Sequence, residues 1–258
     1  MFSRLRGRGL RSRLEQVASG ALTDLEIDLA GAPEGADELM AVAGRLTRRS
    51  AAVRRLRVAI GPQARGLLLD LLAAEQPATR RRGAQLCGAL ELEEAVPWLE
   101  LCLADRDRGV REASARALGR IGGARSAQAL LNAFAHDLLP WFRLTVELAK
   151  AAPHLYLEQE VARTFWAHER PALIAAMGLR NPAAGGADFL AAVPISGPRD
   201  MIAACHVLAR AGAWAPGSWV AALRDHSDHR VREAAERALR RIRTAGRAPV
   251  YVIGATAQ

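Results

Sequence analysis

Apolar residues in this chain fall into short periodic stretches set off by Gly, Pro and Asp. Val110, Ala113, Ser114, Ala117 and Ile121 follow the i, i+3, i+4, i+7 rule, which predicts a helix from about Arg108 to Ile121 with one buried stripe. Gly122-Gly123 then ends it, because glycine accepts the left-handed conformation that follows a helix C-terminus. Ala95 to Ala104 predicts the preceding helix, with Val96, Leu99 and Leu103 on one face. The second of these helices recurs: Val110-Arg111-Glu112-Ala113 through Ala117-Leu118 returns as Val231-Arg232-Glu233-Ala234 through Ala238-Leu239. Thr79, Val110 and Trp141 are 31 residues apart in turn, as are Asp200 and Val231, and all five occupy the same slot. The 59 residues from Trp141 to Asp200 leave room for one further unit whose second helix begins near Pro171. A fixed period of 20 to 50 residues marks a stack of supersecondary units, each burying its apolar face on the next.

Asp105-Arg106-Asp107, Val110-Arg111, Ala113, Ala117-Leu118-Gly119 and Ile121-Gly122 together resemble the HEAT-like repeat of the phycobilin-lyase type. Asp225, Asp228, Val231-Arg232, Ala238-Leu239 and Ile242 repeat the pattern, and Arg80, Leu86, Gly88 and Leu90 hold its register in residues 63–92. The resemblance implies an all-α fold, an α-solenoid of about six to seven antiparallel helix pairs. It covers residues 37–245, and is carried between 137 and 213 mainly by spacing. There Leu138 to Phe142, Leu155-Tyr156, Phe165-Trp166 and Trp214 to Trp219 gather aromatic residues among Pro140, Pro153, Pro171, Pro182, Pro194, Pro198 and Pro216. That stretch is a candidate for a bend or a ligand pocket. Residues 1–36 read as a basic tail, Met1 to Arg13, and a capping helix, Leu14 to Leu29; residues 246–258 read as a C-terminal tail with strand-like Pro249 to Ile253.

Charge adds one asymmetry. The chain has 36 basic against 27 acidic residues, a net +9, and Lys150 is the sole lysine. Residues 39–69 contain Arg45, Arg48, Arg49, Arg54, Arg55, Arg57 and Arg65 and no acid. The first six are a candidate anion-binding patch, suited to nucleic acid, an acidic protein or an anionic surface, and the alternative is a solvated arginine-rich face. No apolar run reaches the roughly 18 to 20 residues that span a bilayer. The basic start is not followed by the apolar region of a signal peptide. A cytoplasmic protein without a transmembrane segment is the expectation.

Little in the chain reads as reaction chemistry. Cys87, Cys102 and Cys205 form no CxxC pair and lack a histidine at zinc-finger spacing, so they read as small buried residues. The HEAT-like deoxyhypusine hydroxylases hold two irons with several His-Glu dyads; this chain has one, His168-Glu169, since His136, His154, His206, His226 and His229 are each followed by another residue type. No cofactor and no metal are expected. The HEAT-like alkylpurine DNA glycosylases combine aromatic residues with an acid; the counterparts are Trp141, Trp166, Trp214 and Trp219 with Asp137 or Glu147, and no spacing ties them together. Cys205-His206 is the nearest approach to a lyase-like group, on adjacent positions that cannot share a helical face. The pairs Asp107 with Arg111 and Asp228 with Arg232 read as structure: Asp caps a helix N-terminus, and the resemblance implies that Arg reaches an acid of the next unit.

In HEAT-like solenoids the second helices line the concave side. Positions two, five and six after the slot turn away from the predicted stripe. They are Arg81, Ala84 and Gln85; Glu112, Ala115 and Arg116; Arg143, Val146 and Glu147; Ile202, Cys205 and His206; and Glu233, Glu236 and Arg237. Mixed in sign and partly apolar, this row suits a protein segment better than a phosphate backbone. The expected function is a non-enzymatic scaffold or adaptor that binds another protein there. A nucleic-acid-binding or glycosylase-type protein is the first alternative, and a lyase-like chromophore or metabolite binder the second.

Overall fold

The protein is described by a computed structural model, over residues 8–22, 33–153, 155–163, 170–180, 195, 197–211 and 217–245. His168-Glu169, His154, Phe165-Trp166, Trp214, Pro182, Pro194, Pro216 and the Pro249 to Ile253 segment lie outside the described residues. Fourteen α-helices carry the described chain, which divides into two compact units, Met1–Tyr156 and Leu157–Gln258. The fold is an all-α solenoid.

The first unit contains α1 (Arg8–Ser19), α2 (Pro33–Ala43), α3 (Ala51–Ala59), α4 (Pro62–Asp70), α5 (Pro77–Ala89), α6 (Val96–Cys102), α7 (Arg108–Ile121), α8 (Ala124–Ala135) and α9 (Trp141–Ala151). α4 pairs with α5, α6 with α7 and α8 with α9, while α5, α7 and α9 pack side by side as one layer of second helices. Helix α7 has the bounds its periodicity predicts, and Val110, Ala113, Ser114, Ala117 and Ile121 are all buried. Each fully buried aliphatic side chain of this kind contributes about 1.5 to 3 kcal/mol. The helix predicted over Ala95 to Ala104 is shorter, with one 3-10 turn at Glu93–Ala95 leading into Val96–Cys102. Pro97, which lacks an N–H, sits in the first turn, where that loss costs nothing.

The N-terminal segment departs from expectation. Helix α1 starts at Arg8, within the segment read as a tail, and packs against α2 and α3. Leu14 and Val17 are buried with Leu10 half-buried, a spacing of four and three that draws the arginine-rich turn into the helix. Its last carbonyls are closed from outside: Arg55 of α3 donates Nε and Nη2 to Ala18 O, at 3.2 and 2.6 Å.

The second unit contains α10 (Tyr156–Arg163, whose first residue belongs to the first unit), α11 (Arg170–Arg180), α12 (Pro198–Ala211), α13 (Gly217–Ala222) and α14 (His229–Ala245). α11 begins where the 59-residue interval asks for a second helix, and α11, α12 and α14 pack in succession with α13 against α14.

At three crossings of successive second helices, α5 with α7, α7 with α9 and α11 with α12, a glycine lets the neighbour approach closely. A Cβ on Gly88 of α5 would stand 2.7 Å from the Cα of Ala117 on α7. Gly119 of α7 meets Glu147 of α9 in the same way, and Gly178 of α11 meets Val207 of α12. Gly66 on α4 has open space around it. Gly88→Ala is therefore expected to destabilise the fold by about 1 to 3 kcal/mol through overpacking, whereas Gly66→Ala gains about 0.5 to 1 kcal/mol from helix propensity. Chemical denaturation of the two variants checks this, and equal effects would place the crossing elsewhere.

Candidate functional site

Two surfaces emerge in the first unit, and arginine chemistry shapes both. At three of the five slots the next residue is an arginine that braces its own helix entry. Arg80 donates Nη1 to Ala74 O and Glu75 O (2.8 and 2.6 Å), Arg111 to Asp105 O and Arg106 O (2.8 and 3.1 Å), and Arg232 of the second unit to His226 O and Ser227 O (2.7 and 2.8 Å). One guanidinium thus gathers two carbonyls of the preceding turn. Asp107 caps α7 through Val110 N at 2.9 Å, and Asp228 accepts from Arg230 N at 2.9 Å. The expectation that the arginine also reaches an acid of the next unit holds at Arg80, whose Nε and Nη2 clasp Asp105 at 2.6 and 3.0 Å. Arg111 and Arg232 serve carbonyls instead. The Arg80 guanidinium holds the Asp105 carboxyl below its ordinary value.

The row expected to face outward is only partly exposed. Arg81, Gln85, Arg116 and Arg143 are exposed and Glu112 is half-buried, bonded to Arg108 at 2.9 Å and near Arg143 at 3.9 Å. Glu233, Glu236 and Arg237 are exposed on α14. Ala84, Ala115, Glu147 and Cys205 are buried, contrary to the expected outward placement. A second helix is flanked by its own first helix and by second helices on either side, so on α5, α7 and α12 the buried arc is wider than one stripe and takes in the fifth position. Glu147 goes under because α9 crosses α7 at Gly119; there it bonds Lys150 at 3.0 Å, and desolvation raises its carboxyl above the ordinary value despite that cation. His206 is half-buried, with its pKa lowered first by desolvation and then by Arg237 and Arg241.

The Arg45 to Arg57 cluster divides by role. Arg48 donates Nε to Arg120 O at 2.7 Å, and Arg55 closes α1. Arg57 Nη1 donates to Glu91 O at 3.0 Å. Arg45 is exposed and away from the cavity described next.

That cavity, about 520 Å³, is lined by Arg49, Arg54, Arg57 and Arg125 with Glu91 and Glu93. Val96, Ile121, Gly122, Gly123 and Ala124 complete the wall. It forms where the ends of α5 and α7 meet the start of α3 and α8. Arg49 and Glu91 both have left-handed backbones, φ 56° and 55°, and the Arg49 N–H donates to Glu91 Oε1 at 2.6 Å. Helix α8 starts after Gly123 with no side-chain cap. The terminal nitrogens of Arg48 and Arg49 lie so near Gly122 that a Cβ there would stand 2.6 and 2.7 Å from them. This cavity lies in the basic region, outside the aromatic stretch between 137 and 213. Glu91, Arg120 and Arg125 were not singled out from sequence. Glu91 stands 31 residues before Gly122, so an acid occupies a slot where the next unit has glycine, and that departure was readable.

Among the described residues no group of three or more His, Cys, Asp or Glu could hold a metal, and no helix is long and apolar enough to cross a membrane. Of the candidate aromatic set, Trp166 and Trp214 lie outside the described residues and Trp219 is half-buried on α13, while the candidate acid Asp137 is exposed.

Residues 65–150 match the family model described as HEAT repeats. The crystal structure of an engineered protein resembles this chain at a TM-score of 0.40 and 14% identity, over 90% of this chain and 97% of that one. No curated protein matches the sequence.

Two outcomes are expected. Asp105→Asn should lower stability at neutral pH. A depressed carboxyl contributes fully above its unfolded pKa and loses that contribution as pH falls through the folded one, so the gap between variant and parent should close below about pH 4. Denaturation from pH 7 to pH 2 checks it; a gap that persists at pH 2 would assign the loss to packing. Burial pushes the Cys87 and Cys205 thiols up to about 12 and raises Cys102. A thiol reagent at pH 8 should therefore modify none of the three until the chain unfolds.

Proposed function

We propose that this HEAT-like repeat protein is a non-enzymatic scaffold or adaptor that holds a segment of another protein along its second helices. The observation that carries the reading is the exposed row Arg81, Gln85, Arg116 and Arg143, with Glu112 at its edge, on three helices packed in succession. Rigid helices pose these side chains at repeat spacing, and the row mixes amide, acid and guanidinium groups. Such a surface offers hydrogen bonds and modest charge to a polypeptide without the uniform positive potential a phosphate backbone needs. Glu233, Glu236 and Arg237 supply the same mixture on α14 of the second unit. Cys205 and Glu147, being buried, are left out of the binding set, and His206 contributes at most an edge.

The nucleic-acid reading loses support from the geometry. Arg48, Arg55 and Arg57 each spend N–H groups on backbone carbonyls, so the basic third presents fewer free guanidinium donors to phosphates than its sequence suggests. A chromophore or metabolite binder draws on one observation, the arginine-lined cavity.

Photocrosslinking residues placed at Gln85 and at Arg116 should capture one and the same polypeptide in the native cell. The same residue at exposed Leu101 on α6 should not. Capture that is equal at all three positions, or absent from Gln85 and Arg116, would move the interface off this row. Oligonucleotide affinity that falls steeply with log salt would instead favour the nucleic-acid reading.

A further inference from the structure

We infer that the cavity between the ends of α5 and α7 and the start of α8 is a binding site for an organic phosphate monoester bearing hydroxyl or ammonium groups beside its phosphoryl group. This goes beyond the scaffold reading and does not depend on it.

The cavity has the size of a small-molecule site; such sites span about 300 to 1,000 Å³. Four guanidiniums, those of Arg49, Arg54, Arg57 and Arg125, line it against two carboxylates, an excess of positive charge. Of these, the side chains of Arg54 and Arg125 make no hydrogen bond or ion pair to another described residue, so their guanidinium donors are uncommitted. Arg48, behind Gly122, keeps a buried Nη2 with no partner, and desolvation together with Arg49 lowers its pKa, as expected where cations crowd without enough anions. A planar guanidinium presents paired N–H groups matched to phosphoryl oxygens. The start of α8 adds to this: Ala124 and Arg125 line the cavity, their N–H groups precede any intrahelical acceptor, and no side chain caps them.

The two glutamates decide what kind of anion fits. An extended phosphate backbone would run its charge past Glu91 and Glu93. A compact monoester can set its phosphoryl group on the arginines and turn hydroxyl or ammonium donors toward the carboxylates. Glu91 keeps one oxygen for this, since its Oε1 is held by the Arg49 N–H.

Calorimetric titration of the full chain in a low-salt buffer free of phosphate tests the site, with glucose 6-phosphate, inorganic phosphate and glucose as probes. Glucose 6-phosphate should bind at one site, at least tenfold tighter than inorganic phosphate, and glucose should not bind. Arg54→Ala and Arg125→Ala should each weaken binding about tenfold. Ala124→Asp places a carboxylate in the first turn of α8; it should abolish binding while leaving the melting temperature equal or higher, because an acid suits a helix N-terminus. No saturable binding at millimolar ligand would overturn the proposal. So would inorganic phosphate binding as tightly as glucose 6-phosphate, or affinity that survives Ala124→Asp in a folded protein.

Discussion

The close crossing of one second helix over the next is the interaction on which the rest of the structure depends. A stacked repeat has no central core; each unit buries its apolar face only on its neighbours, so the interface between units carries the cohesion. Gly88 against Ala117, Gly119 against Glu147 and Gly178 against Val207 let backbones approach nearer than any side chain would permit. Near contact between small residues compensates for the scarcity of aromatic ones, 5% of the chain, by putting many atoms of adjacent helices at van der Waals distance. It also explains why the buried arc of these helices is wide enough to take in Ala84, Ala115 and Cys205.

Arginine is the second structural material. Short turns leave carbonyls exposed at helix ends and entries, and a guanidinium can satisfy two of them while keeping its charge partly in water. Arg80, Arg111 and Arg232 do this at equivalent repeat positions, Arg55 closes α1, and Arg120 reaches Leu46 O at 2.8 Å to fasten the segment after α2 onto α7. At Arg80 the fork does more: while Nη1 holds two carbonyls, Nε and Nη2 clasp the Asp105 carboxylate, a second set of bonds that a single ammonium could not make. Part of the arginine content is therefore explained by these bonds to carbonyls, although the guanidiniums keep their charge.

What could be read from the chain follows from what is periodic. The slot through Val110 placed α7 to the residue and located α11 near Pro171, because a 31-residue register repeats wherever the same packing recurs. It failed at the fifth position on α5, α7 and α12, where Ala84, Ala115 and Cys205 are buried, since a hydrophobic stripe on one helix does not report the flanking helices that widen its buried arc. Glu147 shows the limit: polar by sequence and outward by period, it is buried because Gly119 on another helix makes room. The start of α1 was missed for a similar reason. Five arginines in thirteen residues looked like a tail, yet Leu14 and Val17 find partners on α2 and α3.

Departures from a repeat are where a repeat protein can acquire a site, and the cavity shows how. Gly122 accepts a positive φ of 76° at no cost from a side chain; Glu91, one period earlier, takes φ 55° with a full one. A left-handed glutamate costs of order 1 kcal/mol relative to glycine. Here it is held by the Arg49 N–H on its carboxylate and by Arg57 on its carbonyl. Glycine meets the same backbone demand in the next unit, so the acid is there for its side chain, whose Oε1 accepts the Arg49 N–H. What the acid adds is a fixed carboxylate on the wall of an otherwise cationic cavity. That polarity orients a ligand rather than merely attracting charge, and it separates this cavity from a solvated arginine face, which would need neither the strain nor the glutamate.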